Sequence, residues 1–111
     1  MDYQNVENLS DFKNIIIKNN AALFYFSHKK CNVCLTLKPK IKNLINKEFE
    51  KIKLFYVDVY KIPEVAAQNG IFISPTIIFF SEGNESLRIS RYIGIDELKE
   101  KISRPYNLMY S

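Results

Sequence analysis

The sequence predicts an α/β fold: a central mixed sheet of four to five strands flanked by helices on both faces. Three observations predict it. Continuous apolar runs of strand length, Ala21–Phe26, Ile52–Val59 and Ile77–Phe80, alternate with stretches of helical periodicity. The first two runs are joined by one long helical segment, the pattern of a βαβ unit with parallel strands. The third is followed by the turn signal Glu82-Gly83-Asn84, which folds an antiparallel hairpin, and a last helical segment closes the chain.

Length and composition set the frame for that fold. The 111 residues, 47% of them apolar, fit one domain over 1–111 with a core large enough to fold without staples. The apolar runs are too short to span a bilayer, and Lys and Asn interrupt them. Asp2-Tyr3-Gln4-Asn5 offers neither a basic start nor a following apolar stretch of a secretory signal, so a cytoplasmic, reducing location is expected. A lone cysteine pair in such a compartment is more often redox-active or metal-bound than structural. The net charge of +4 comes from scattered lysines without an Arg-rich run, which speaks for solvated helix faces and against nucleic-acid binding.

Taken in order, the elements each have a local cause. A short edge strand is expected around Tyr3–Val6. Ser10 is suited to cap a helix over Asp11–Lys18, with Asp11 in its first turn and Phe12, Ile15 and Ile16 on its apolar face. Ala21–Phe26 reads as a central strand covered on both faces. A long helix then runs from about Cys31 to Phe49, kinked at Pro39, with Lys38, Lys40, Lys42 and Lys47 off the apolar stripe and solvated. Ile52–Val59 is the next strand, broken by Asp58 near its end. Pro63-Glu64 starts a short helix that Gly70 stops. After the hairpin strands Ile77–Phe80 and Leu87–Ile93, Gly94 breaks the chain. A last helix covers Asp96–Ile102, Arg104-Pro105 ends it, and 103–111 is a short tail that folds back or forms a contact surface.

The chemistry concentrates on Cys31 and Cys34, the only cysteines, separated by two residues at the start of the long helix. Positions three apart share a helix face, so the two thiols can close a small disulfide ring. Cys31 falls at the helix N-terminus, where free N–H groups and the helix dipole favour a thiolate, and Lys29 and Lys30 add positive charge. Such surroundings lower a cysteine pKa from about 8.5 into the range of about 3.5–7.5, which makes Cys31 a nucleophile near neutral pH. Cys34 opens the apolar stripe Cys34, Leu37, Ile41, Leu44, Ile45 and is expected to point inward. An exposed attacker and a sheltered resolver suit thiol–disulfide exchange. His28, three residues before Cys31, could tune the thiolate, shuttle a proton, or simply be solvated. Two cysteines and one histidine fall short of a closed zinc site, which leaves only a metal or iron–sulfur cluster shared between subunits as a metal reading.

Four features at fixed spacing make the chain similar to the thioredoxin family over nearly its whole length. An apolar strand runs directly into Cys31-x-x-Cys34; Pro39 lies five residues after Cys34; Ser74-Pro75-Thr76 precedes the hairpin; and Gly94 precedes the last helix. The resemblance implies a thioredoxin-like fold and a protein-disulfide reductase. Cys31 would attack a substrate disulfide and Cys34 would resolve the mixed disulfide. Pro75 would be cis and held against the cysteines, and the backbone around Ser74, Pro75 and Thr76 would pair with an extended substrate segment. It also implies electrons from a thioredoxin reductase using NADPH, disulfide-bearing protein substrates, a monomer, and no cofactor or metal of the chain's own.

The chain also departs from that family. Lys30-Cys31-Asn32-Val33-Cys34 replaces W-C-G-P-C, and Trp is absent. Tyr25 stands where the family carries a buried acid beneath the cysteines, and Leu54 where a lysine often partners that acid. Tyr25 is read as a core aromatic whose hydroxyl finds a partner and which could modulate the thiolate. Asp58 matches an acid at the end of the family's third strand. Two rivals stand beside the reductase: a protein-binding module with idle cysteines, and a dedicated disulfide oxidase or isomerase.

Overall fold

The computed structural model describes residues 2–110; the ends of the expected domain, Met1 and Ser111, lie outside the described residues. Five strands and four helices follow in the order β1(Gln4–Asn5), α1(Leu9–Lys18), β2(Ala21–Ser27), α2(Asn32–Glu48), β3(Lys53–Asp58), α3(Pro63–Gln68), β4(Thr76–Ser81), β5(Asn84–Ile89) and α4(Ile95–Tyr110). The sheet has the order β1-β3-β2-β4-β5. β3 runs parallel to both β1 and β2, while β4 is antiparallel to β2 and β5 to β4. This is the mixed, thioredoxin-like α/β architecture that the sequence predicts.

The central strand β2 is buried at all seven positions, and its period of two divides the core. Ala21, Leu23 and Tyr25 face the layer built by α2 and α4, with Leu37, Ile41, Leu98 and Ile102. Ala22, Phe24 and Phe26 face α1 and α3, where Phe12, Val65 and Ala66 cover them. The second layer is aromatic: the Phe24 ring lies 4.6 Å from that of Phe12 and stacks at 5.3 Å on Phe55. The buried residues of α2 are Cys34, Leu37, Ile41, Leu44 and Ile45, the stripe read from periodicity.

Three boundaries differ from expectation. Asn8, not Ser10, caps α1: its side chain accepts from the Asp11 amide at 2.8 Å, while the Asp11 carboxylate accepts from the Glu7 amide at 2.9 Å. This reciprocal pair satisfies two donors at once, and Ser10 lies inside the helix. β5 occupies Asn84–Ile89 rather than 87–93, because Glu82 (φ 51°) and Gly83 (φ 84°) form a two-residue left-handed turn and pairing starts at once with Ser81 opposite Asn84. Ile93 is still buried, reaching the core from the connection to α4. Finally, α4 does not stop at Arg104-Pro105 but continues through Pro105 to Tyr110, so 103–110 is helix rather than tail. An interior proline costs about 3 kcal/mol. Here the last turns are held from outside: the Tyr106 ring packs edge-on against Phe49 at 5.0 Å, and its hydroxyl accepts from the Lys51 amide at 3.4 Å. Tyr110 packs on Tyr106 at 4.9 Å, with the Lys51 ammonium 4.5 Å from its ring centre.

Candidate active site

The cysteines sit at one end of the sheet, where three chain segments leave it together. Ser27 ends β2 opposite Asp58 of β3, and Phe26 lies opposite Thr76, the first residue of β4. The loop after β2, the turn after β3 and the loop before β4 are therefore neighbours by register. Residues 28–31 span the first gap. Lys29 and Lys30 are exposed in a turn, and the Cys31 amide donates to the His28 carbonyl at 3.2 Å.

Cys31 is the N-cap of α2, with extended backbone (φ −90°, ψ 100°). Its sulfur accepts from the Cys34 amide at 3.2 Å, the role an oxygen plays in an ordinary cap. Cys31 and Cys34 form a disulfide with a Cα–Cα distance of 5.2 Å, within the usual span. Cys31 is half-buried, whereas Cys34 is 1% exposed in the core. The access asymmetry expected from the helix stripe is thus present in the fold.

Beneath the pair lies Tyr25, fully buried, whose hydroxyl donates to the Cys34 carbonyl at 2.8 Å. Burial first, and the neighbouring Tyr56 second, push the Tyr25 hydroxyl pKa above its ordinary value. Leu54, also buried, brings no charge to this layer. Three tyrosine rings gather here: Tyr25 lies 6.1 Å from Tyr3 and 6.3 Å from Tyr56. Lys38, which helical periodicity places in solvent, is half-buried over them, its ammonium 3.8 Å from the Tyr56 ring centre and 5.2 Å from that of Tyr3. Tyr3 in turn donates its hydroxyl to the Lys38 carbonyl at 2.8 Å. The flat rings give this cation a favourable face, while its burial lowers the lysine pKa. Lys38 is the residue of this region that sequence reasoning misplaces; the α-helical period puts it off the stripe, and only the tyrosines from the β1 and β3 side of the sheet draw it in.

The Ser74–Pro75 peptide bond is cis. Ser74 is half-buried, and Pro75 and Thr76 are buried. The Thr76 hydroxyl donates to the Ile73 carbonyl at 2.6 Å and ties the loop to the start of β4. His28 and Ser74 line the same concavity, so the fold brings the cysteine loop and the Ser74 loop together. The His28 ring stacks on Tyr60 at 4.2 Å, and its Nδ1 is buried without a hydrogen-bond partner. Asp58 plays a structural part, since its carboxylate accepts from the Tyr60 and Lys61 amides at 3.0 and 3.2 Å and shapes the turn after β3. Among the described residues, no group of three or more His, Cys, Asp and Glu is placed to hold a metal ion, and no helix is long and apolar enough to cross a membrane.

Comparison with known proteins bears on the same features. The family model named Thioredoxin matches residues 4–104. The thioredoxin-like protein YdfQ of Bacillus subtilis is 28% identical over 103 residues, covering 93% of this chain and 91% of its own. Among solved structures, Fasciola hepatica thioredoxin superimposes with a TM-score of 0.82 at 26% identity, covering 91% of this chain and 97% of that one. The oxidised mitochondrial thioredoxin 3 of Saccharomyces cerevisiae gives 0.83 at 22% identity over 91% and 93%. At that identity the likeness speaks for the fold alone.

Proposed function

Because this chain belongs to the thioredoxin family, we propose that it is a thiol–disulfide oxidoreductase that reduces protein disulfides through Cys31 and Cys34. The observation that carries this reading is the disulfide at the tip of α2, joining a half-exposed N-cap cysteine to a buried one. The disulfide is the product state of reduction. In the reduced protein, the Cys31 thiolate is favoured by the helix N-terminus and attacks a substrate sulfur. A Cys31–substrate disulfide forms, and the substrate's other sulfur leaves as a thiolate and takes a proton. Cys34 then loses its proton and attacks the Cys31 sulfur. The protein disulfide closes and the second substrate thiolate departs. Two electrons and two protons pass from the dithiol to the substrate.

The loop at Ser74, Pro75 and Thr76 is assigned to substrate binding, its backbone offering a strand-like edge to an extended segment. Lys29 and Lys30 support the Cys31 thiolate as nearby charges. His28 takes the role of a wall residue of the substrate groove. A thioredoxin reductase using NADPH is the proposed source of electrons, the proposed setting is the cytoplasm, and the protein is proposed to act as a monomer without a cofactor of its own.

Insulin reduction with dithiothreitol tests the reading. The parent accelerates precipitation of the insulin chains and Cys31→Ser abolishes the effect. Iodoacetamide at neutral pH labels Cys31 far faster than Cys34, and Cys34→Ser accumulates a mixed disulfide on Cys31 that Cys31→Ser cannot form. No acceleration by the parent would leave a thioredoxin-fold binding module. A reduction potential near the oxidising end of the range, about −120 mV rather than about −270 mV, would make it an oxidase or isomerase.

A further inference from the structure

We propose that Lys38 is an electrostatic positioning residue for the resolving step: its ammonium, held over tyrosine rings one helical turn behind Cys34, favours the Cys34 thiolate that closes the disulfide. This rests on the reductase reading above and names the charge that serves its second step.

That step needs such a charge. Cys34 is 1% exposed, and burial opposes ionisation of a thiol. The layer beneath it supplies no base: Tyr25 donates its hydroxyl to the Cys34 carbonyl, and Leu54 is apolar. Lys29 and Lys30 are exposed, so water and salt screen them.

Lys38 is placed differently. It follows Cys34 by four residues in α2, about 40° around the helix and about 6 Å along it. Long side chains of a helix lean toward its N-terminus, over the residues three and four earlier. The lining of the neighbouring concavity, about 570 Å³ in volume, agrees with that direction. Lys38 shares it with Leu35 from the preceding turn and Lys29 of the cysteine loop, while Tyr56 and Asp58 form the wall on the β3 side.

The ammonium lies 3.8 Å from the Tyr56 ring centre and 5.2 Å from that of Tyr3. The Tyr3 hydroxyl donates to the Lys38 carbonyl at 2.8 Å, and the Tyr56 hydroxyl accepts from Ser27, the last residue of β2, at 3.0 Å. Ring faces attract a cation without neutralising it. Among the described residues, no carboxylate lies within ion-pair distance of this ammonium, whereas Lys42 in the next turn pairs with Asp2 at 3.5 Å. A half-buried charge without a counter-ion in contact acts more strongly on a buried neighbour than a solvated one does.

Other charged groups face the same space. Glu7, Asp58, Lys29 and Lys61 line the concavity, and Asp2 acts on Lys38 from the β1 side. The Asp58 carboxylate is engaged by the Tyr60 and Lys61 amides, and Lys29 and Lys61 are exposed. Tyr3 and Tyr25, their pKa raised by burial, stay neutral phenols. Lys38 combines partial burial with the Cys34 side of α2.

The test reads the charge on Cys34 directly and through its reaction. In the reduced full-length chain carrying carbon-13 at the cysteine Cβ, NMR follows each thiol against pH, the two signals being assigned with Cys31→Ser. In Lys38→Met the Cys34 midpoint rises by about one pH unit; in Lys38→Arg it stays within about 0.3 unit of the parent. Stopped flow with dipyridyl disulfide, an uncharged probe, separates the two steps. The Cys31 thiolate attacks one probe sulfur, and the first thiopyridone leaves and takes a proton. Cys34 gives its proton to water, attacks the Cys31 sulfur, closes the protein disulfide and expels the second thiopyridone. The dithiol is oxidised as the probe is reduced by two electrons.

At neutral pH the second phase slows about tenfold in Lys38→Met and stays within about twofold of the parent in Lys38→Arg. The first phase changes by less than about twofold in every variant. Lys38→Gln, equally uncharged, behaves as Lys38→Met does and takes its place should that variant not fold. An unshifted Cys34 midpoint in the uncharged variants overturns the proposal. A shifted midpoint without a slower second phase overturns the role in resolution, and a Lys38→Arg as slow as Lys38→Met would assign the lysine to packing alone. No release in either phase overturns the reductase reading, and the Cys34 midpoint then still decides whether Lys38 acts on that thiol.

Discussion

The hydroxyl of Tyr25 donates to the carbonyl of Cys34 at 2.8 Å, from a fully buried position on the central strand directly beneath the helix that carries both cysteines. The phenol thereby fixes the first turn of α2 to the sheet. It also occupies the layer where a carboxylate would serve as proton acceptor for Cys34. A tyrosine whose pKa is raised by burial is a poor base at neutral pH.

Resolution of the mixed disulfide is therefore expected to speed up in Tyr25→Asp, because a carboxylate there accepts the Cys34 proton directly or through water. The same change destabilises the fold, since it buries an ionisable acid in the core and Leu54 in the same layer brings no charge. Burial raises the carboxyl pKa in the folded state, so the native protein holds more protons than the unfolded chain. The stability cost thus grows as pH rises through the unfolded value near about 4 and levels off above the folded value. Single-turnover decay of a Cys31 mixed disulfide, with urea midpoints against pH, checks both parts. An unchanged decay rate would identify solvent or another side chain as the acceptor already in use.

Alkaline stability carries the signature of the buried tyrosines. Burial, ahead of neighbouring groups, raises the pKa of both Tyr3 and Tyr25 above the ordinary 10.0. As pH rises through that ordinary value, the unfolded chain loses tyrosyl protons that the native state retains, so stability falls from there upward. Urea midpoints between about pH 8 and about pH 11 should decline in the parent, and decline less steeply in Tyr25→Phe and in Tyr3→Phe. Near neutral pH, Tyr25→Phe should cost about 1 kcal/mol for the lost hydrogen bond. Parallel pH profiles in parent and variants would refute the assignment.

The cap of α1 is open to a paired test. Asn8→Ala should cost about 1 kcal/mol, because it removes the acceptor for the Asp11 amide. Ser10→Ala should change stability by less than about 0.5 kcal/mol. Thermal or urea unfolding of both variants decides, and the reverse order of effects would restore Ser10 as the cap.

The C-terminal turns of α4 should depend on Tyr106. Tyr106→Ala removes the edge-on contact with Phe49 and the hydroxyl contact to the Lys51 amide. An expected loss of about 2 kcal/mol in urea unfolding is accompanied by a drop in helical circular dichroism as residues beyond Pro105 unwind. Helicity equal to the parent's would mean that this segment holds its helix without Tyr106.

Much of this molecule is legible in the chain itself. Apolar runs locate β2, β3 and β4, unbroken in Ala21–Phe26 and Ile77–Phe80 and interrupted in β3 only by Lys53 and Asp58 near its ends, since a strand buried on both faces needs apolar residues at nearly every position. The three-and-four spacing from Cys34 to Ile45 decides which face of α2 enters the core, and therefore which cysteine is sheltered. Strand followed by C-x-x-C, joined to Ser74-Pro75-Thr76, marks the candidate site. The α1 cap at Asn8 and the start of β5 turned on contacts a few residues apart, but the features below were decided only by the tertiary structure, through contacts from residues distant in sequence. Phe49 and Lys51 carry α4 past a proline that local rules read as a stop. Tyr3 and Tyr56 draw Lys38 out of solvent. Sheet register brings the loop after β2, the turn after β3 and the loop before β4 together, so that His28, Tyr60 and Ser74 line one concavity. Local sequence sets conformational preferences of about a kcal/mol per residue; long-range burial and ring contacts sum to more, and where the two conflict the contacts determine the outcome.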